Sequence, residues 1–372
     1  MTSITHRFAR QRKSWAVAAA AMAAVLAGTV PAGAKDYIVT AGHGGRIFMF
    51  DAAERKLVKD VAMDGGAALA VQPSPDGKIV YVMNEQLGAV RGVDLDSGAQ
   101  VFLTKFSQGD IRGRGFAAMA LSPDGKELYA VVFRTRLKKT EYEVLDPVLN
   151  VYATDGGLDA KPIRTFKIPR QIATMFMGTT GTRLYLVGPD IMVMDTKTGK
   201  IVETHPIRST KNPKMTAPDV FGVWGQYSQA NVWVNPTFAA RTDLPPTDPA
   251  AFRTGMMRID LATGKFSSAE FANSDAVIFS AVASPVNHDD VYGVYTQLTK
   301  VDMKAKTMVK RIELDHTYYT VNISSDGKEL YVGGTMDDIG VYDSATLEKK
   351  GEMKMPDGSD MAAAWVQIVK RD

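Results

Sequence analysis

No cysteine occurs in the 372 residues. That absence removes disulfides, thiol catalysis, Cys-ligated zinc, iron–sulfur clusters and the C-x-x-C-H attachment of c-type haem together. A charge excess is also missing. Four of the 44 basic residues, Arg7, Arg10, Arg12 and Lys13, precede position 35 with no acid among them, which leaves 40 basic against 41 acidic side chains in the body of the chain. Neither nucleic acid nor an anionic membrane is therefore an expected partner. Histidines do not cluster: His43, His205, His288 and His316 are far apart in the sequence, with none of the close spacings of a metal site.

Long apolar runs are lacking except near the start. Trp15 to Val30 spans about 16 residues, short of the roughly 20 that a spanning helix needs. With basic residues before it and Ala32-Gly33-Ala34 after it, the run reads as a secretory signal covering 1–34, with an uncleaved anchor as the alternative. Residues 35–372 are then one exported, periplasmic domain with no membrane contact after cleavage. Without disulfides its stability must come from its own core, which a chain of this size can bury.

Short nucleotide and calcium motifs fail on context. Gly42-His43-Gly44-Gly45 follows a strand pattern but opens no helix. Asp94-Leu95-Asp96-Ser97-Gly98 lacks the later glycine and glutamate of a calcium loop and reads as a turn. No G-x-S-x-G elbow or Ser/His/Asp set is visible.

What the chain has is repetition. Ser74-Pro75-Asp76-Gly77-Lys78, Ser122-Pro123-Asp124-Gly125-Lys126 and Ser324-Ser325-Asp326-Gly327-Lys328 each precede an apolar run with Tyr81, Tyr129 or Tyr331. Asp-Gly supplies the left-handed residue of a tight turn, so these are turns leading into strands. A second element, an alternating strand ending in Asp, recurs at Asp51, Asp94, Asp195, Asp260, Asp302 and Asp343, with spacings of 43, 101, 65, 42 and 41. The gap of 101 holds a degenerate copy at Val148–Ala153. Seven copies of about 42 residues predict an all-β, seven-bladed propeller. Asp36–Thr40 has no preceding strand and Ala362–Val369 no following one, so the N- and C-terminal strands are expected to share a blade and close the ring. The surplus residues form two insertions, around Arg134–Pro147 and within His205–Gly255.

Residues just before an innermost strand gather on one face of such a disc. They include Phe116 with Arg112 and Arg114, Arg170 with Gln171, and His316, Tyr318 and Tyr319. They read either as funnel-facing groups for a ligand or docked protein, or as solvated rim and satisfied loop residues.

Ala217–Trp224 with Pro236–Arg241 and Asp248–Gly255, together with Ile168–Ile172, Asp315–Val321 and Tyr342–Gly351, resembles the β subunit of quinohemoprotein amine dehydrogenase, a YVTN-type propeller. The resemblance covers the whole body of the chain, both insertions included. It implies a periplasmic heterotrimer that oxidatively deaminates primary amines. A di-haem cytochrome c subunit and a small subunit bearing cysteine tryptophylquinone would be the partners. The substrate would form a Schiff base with the quinone, lose a proton to a carboxylate of the small subunit and pass its electrons to the haems. This chain would bind no cofactor and no metal, supply no catalytic residue, scaffold the assembly and wall the substrate cavity. Phe116, Arg170, Gln171, His316, Tyr318 and Tyr319 are the cavity or interface candidates. The alternatives are a free-standing periplasmic binding propeller, a heavy subunit of a methylamine dehydrogenase-like enzyme, and a lactonase-like propeller.

Overall fold

Each repeated turn is built as its residues dictate. The hydroxyls of Ser74, Ser122 and Ser324 donate to the Asp two positions on at 2.6, 2.6 and 2.7 Å. Each also accepts the backbone N–H five positions on, at 3.0, 2.9 and 2.9 Å. Gly77, Gly125 and Gly327 adopt φ of +68, +71 and +75°, values at which a side chain is strained. The second recurring element ends as regularly. The carboxylates of Asp51, Asp94, Asp195, Asp260, Asp302 and Asp343 each accept the N–H three residues on at 2.7–2.9 Å, an Asx turn that reverses the chain.

The computed structural model describes residues 33–208, 212–220, 222–273 and 277–372; the expected secretory segment lies outside them up to position 32. Lys35–Arg371 form one unit of seven antiparallel four-stranded blades. Their innermost strands, in ring order, are Gln367–Arg371, Val71–Pro73, Met119–Leu121, Thr174–Met177, Asp219–Val220, Ile278–Ala283 and Thr320–Ile323. Blade 1 mixes the termini: Gln367–Arg371 pairs with Lys35–Gly42, which continues to Arg46–Asp51 and Lys56–Ala62. The ring closes as expected, but the innermost strand starts at Gln367 rather than Ala362. Ala362 and Ala363 adopt positive φ and cannot extend it.

Blades bury tyrosines and phenylalanines against one another. Tyr81 and Phe102 of blade 2 and Tyr152 of blade 3 form an edge-to-face chain with centroids 5.6 and 6.3 Å apart, all within 1 % of full burial. Each such side chain contributes roughly 1.5–3 kcal/mol of burial, and the seven interfaces share this load. The innermost strands all begin on one face, here called upper. The Ser-x-Asp-Gly and Asx turns lie on the lower one.

Both insertions fall in place. In blade 3 the second strand, Glu127–Leu137, overshoots the blade and is flanked by Ile111–Arg114 and Tyr142–Val144. In blade 5 the innermost strand is only two residues long, and the chain beyond it leaves the blade.

Candidate functional site

Blade 5 abandons its innermost ladder at Gly222. There the Asn235 side chain stands in for a neighbouring strand, accepting the Gly222 N–H at 3.0 Å and donating to its carbonyl at 2.7 Å. A Cβ at Gly222 would sit 2.9 Å from that amide, so the arrangement needs glycine. The following residues then cross the middle of the ring. Trp224 donates its indole N–H to the Ala363 carbonyl at 3.1 Å, Gln367 donates to the Gly225 carbonyl at 2.9 Å, and Gln226 donates to the Thr320 hydroxyl. Ala363 and Gln367 belong to blade 1 and Thr320 to blade 7, neither of which borders blade 5. The central channel is therefore plugged by residues 223–229. Gly225 leaves room for the fully buried Trp365: a Cβ there would lie 2.6 Å from the indole.

Above the plug, four rings converge on the upper mouth. Phe279 stacks on Tyr295 at 3.8 Å, and Tyr319 lies 5.1 Å from Phe279, 5.8 Å from Trp224 and 6.2 Å from Tyr295. Trp224 is buried, whereas Phe279, Tyr295 and Tyr319 are only partly buried. Leu69, Val223 and Ala363 border the same cluster. The result is an aromatic floor whose ring faces attract cations and whose edges pack apolar groups.

The residues expected from the sequence fall at different depths. Tyr319 is in the aromatic mouth. Tyr318 is fully buried in the core shared by blades 6 and 7 and offers no surface; the pair lies in the loop just before the strand Thr320–Ile323, with only Tyr319 reaching the mouth. Its hydroxyl donates to Asp338 at 2.7 Å, and burial, with that carboxylate second, pushes its pKa up. His316 stacks on Tyr318 at 3.9 Å, with Nε2 2.8 Å from Asp338 Oδ1 and Nδ1 2.9 Å from the Thr317 carbonyl. This places His316 as a clamp on the loop that sets Tyr319. Arg170 pairs with Asp146 at 3.0 Å on the surface. Gln171 is exposed with φ of +66°. Phe116 is 38 % exposed. These three stand above blades 3 and 4, apart from the aromatic cluster.

Trp224, Phe279 and Tyr295 were missed. Repeat register carried part of the signal. Counting five residues back from Ser74, Ser122, Ser284 and Ser324 gives Leu69, Ala117, Phe279 and Tyr319, the equivalent mouth position in those four blades, aromatic only in the last two. Trp224 could not be found that way, because its segment has left the repeat.

A cleft of about 560 Å³ opens on the lower face, lined by Ser122, Glu127, Arg164, Thr180 and Lys197 among others. Two of its charged residues, Glu127 and Arg164, are engaged in scaffolding. Arg164 clamps Glu127 at 2.7 and 2.8 Å while Tyr129 donates to the same carboxylate at 2.6 Å. The equivalent Glu329 likewise takes Arg55 and Tyr331, both at 3.3 Å. Among the described residues no group of three or more His, Asp or Glu could hold a metal ion, and no helix is long and apolar enough to cross a membrane.

No family model matches the chain, and no curated protein matches its sequence. Solved structures do match. The hydrazine synthase of Kuenenia stuttgartiensis aligns with a TM-score of 0.58 at 15 % identity, over 84 % of this chain and 90 % of that one. The dihydro-heme d1 dehydrogenase NirN, in complex with DHE, aligns at 0.51 and 14 %, over 86 % and 73 %. At such identities the likeness establishes the shared propeller and no more.

Proposed function

We propose that the chain is the propeller subunit of a periplasmic quinohemoprotein amine dehydrogenase, binding no redox group itself and forming one wall of the amine cavity. The observation that carries this reading is the aromatic mouth over a plugged channel. Phe279, Tyr295 and Tyr319, partly buried and backed by the buried Trp224, offer a packed apolar surface, and the plug closes the route by which a ligand or bulk water would pass through the ring. Such a surface suits a wall: it excludes water from a cavity completed by another polypeptide and orients a substrate. An ammonium substrate above these rings gains roughly 0.5–2 kcal/mol from their faces, more as the cavity is desolvated. The cysteine-free sequence agrees with a division of labour in which quinone and c-type haem, both attached through cysteine, belong to partners. The partner quinone would accept the electrons of the amine; this chain's residues hold the substrate side chain and stabilise the assembly. Both solved neighbours are named as enzymes, which agrees with service in a catalytic assembly.

The test is co-expression of the full chain with the di-haem and quinone-bearing polypeptides, followed by capture through a tag on this chain. A haem-containing complex that reduces dye with a primary amine supports the reading. A chain that binds neither subunit, or that oxidises amines alone, refutes it.

A further inference from the structure

The arm of blade 3 has two unlike faces. Strand alternation puts Arg134 and Arg136 on one side with Glu143 and Gly113, and Phe133, Thr135 and Leu137 on the other with Tyr142, Val144 and Arg112. The first side is consumed locally. Arg136 bridges Asp110 at 3.3 Å and Glu143 at 3.0 Å, and Arg134 donates to the Asp146 carbonyl at 2.8 Å. Gly113 packs so closely on blade 2 that a Cβ would meet the Phe106 carbonyl oxygen at 2.3 Å. The arm is thus anchored through this side.

Near the blade the other side is engaged too, Phe133 packing on the core of blades 3 and 4 and Arg114, opposite it, donating to the Gln86 carbonyl at 2.9 Å; toward the tip it is bare. Leu137, Tyr142 and Val144 are 37, 75 and 63 % exposed, and they sit in register across two strands (Leu137 opposite Tyr142, Thr135 opposite Val144). Arg112, opposite Thr135 on the third strand, is exposed and has no ion-pair partner among the described residues, and the same is true of Lys139 at the tip. Residues 110–114 and 133–146 hold six basic and four acidic side chains, whereas the remainder after residue 34 holds 34 and 37. A local positive excess on a slightly acidic body, beside an in-register Tyr, Val and Leu, has the composition of an interface centre with an electrostatic guide.

We propose that this face of the arm seats a protein partner with an acidic surface around an apolar ridge, Tyr142 and Val144 filling the contact and Arg112 and Lys139 orienting it. A second copy of the chain fits poorly, because the same positive excess would face itself. The assignment of that partner to the amine dehydrogenase assembly rests on the function proposed above.

The test uses the full chain co-expressed with the two subunits and reads haem captured per propeller. The parent and Lys304→Glu, a change at an exposed lower-face turn, should retain haem. Tyr142→Ser with Val144→Ser, and separately Arg112→Glu, should each lose at least tenfold while keeping the parent's melting transition. Capture by the parent should weaken as salt rises. If the parent assembles and the arm variants retain full haem, the arm is not the seat, and the functional reading stands. If the parent itself captures no haem, the assembly reading falls and this proposal with it. A parent that is a dimer alone, converted to monomer by Tyr142→Ser with Val144→Ser, would overturn the proposal in favour of a second copy.

Discussion

The two faces of the ring are made by different rules. On the lower face the same three-residue hydrogen-bond pattern recurs at Ser74, Ser122 and Ser324 to within about a tenth of an ångström, and six aspartates close equivalent turns. On the upper face the blades diverge among the described residues: blade 3 raises an arm, blade 5 sends a plug across the axis, and blades 6 and 7 carry Phe279 and Tyr319 where blades 2 and 3 carry Leu69 and Ala117. Repetition spreads a structural load over many equivalent sites. A departure from it concentrates a role in a few side chains, and loops held on a rigid frame are where such roles accumulate.

The largest expected effect tests that contrast directly. Trp365 joins ring closure to the plug and is fully buried. Trp365→Ala should therefore cost about 3–5 kcal/mol. Ser324→Ala removes one hydroxyl from one of several equivalent turns and should cost only about 1 kcal/mol. Urea denaturation followed by circular dichroism measures both. Equal losses would show that the lower face is no more redundant than the upper.

The same contrast explains what the sequence could tell. Blade number, the mixed-terminus closure and both insertions were legible because Ser-x-Asp-Gly turns and strand-terminal aspartates are local devices whose chemistry is written in consecutive residues. The degenerate copy at Val148–Ala153 was readable from spacing. The plug was not, because Gly222 is held by Asn235 and Trp224 by Ala363, contacts that no local pattern announces. Tyr318 and Tyr319 are adjacent, and only the packing of the loop before the strand Thr320–Ile323 decides that the first is core and the second mouth. The resemblance covered the insertion at Ala217–Gly255 without indicating that it fills the channel, and Phe221 within it lies outside the described residues.

A smaller effect concerns acid. Asp343 has its pKa lowered to about 2, first by the Thr346 backbone N–H and then by Lys350. Asp94 and Asp195 are lowered by the same kind of turn, chiefly through the Ser97 backbone N–H and the Thr198 hydroxyl respectively. These folded-state values lie below the unfolded carboxyl near ~3.9. The turns therefore add stability that is complete above about pH 4 and is lost as pH falls toward about 2. Asp343→Asn should lower the urea midpoint at pH 5 and converge with the parent near pH 2. A gap between the two that is the same at pH 5 and pH 2.5 would remove the carboxylate as the cause.

The last effect, local in stability and the sharpest in function, belongs to Tyr319. Its ring is partly buried and touches three other aromatic side chains, so Tyr319→Ala forfeits about 0.5–1.5 kcal/mol of ring packing beyond the area the ring buries, while the blade core that holds Tyr318 stays filled. In the assembled complex the same change removes one ring face from the proposed wall. A lost cation–aromatic contact of about 1–2 kcal/mol raises the amine KM roughly tenfold, since about 1.4 kcal/mol is a factor of ten. Tyr319→Phe keeps the ring and should keep the parent KM, separating the aromatic face from the hydroxyl. His316→Ala should follow Tyr319→Ala in direction but with a weaker effect, because His316 acts through the loop it clamps and not through the substrate. If Tyr319→Ala leaves the amine KM untouched in a complex that still turns over, the mouth is not the cavity wall. The upper face then owes its individuality to the arm of blade 3 and the plug of blade 5.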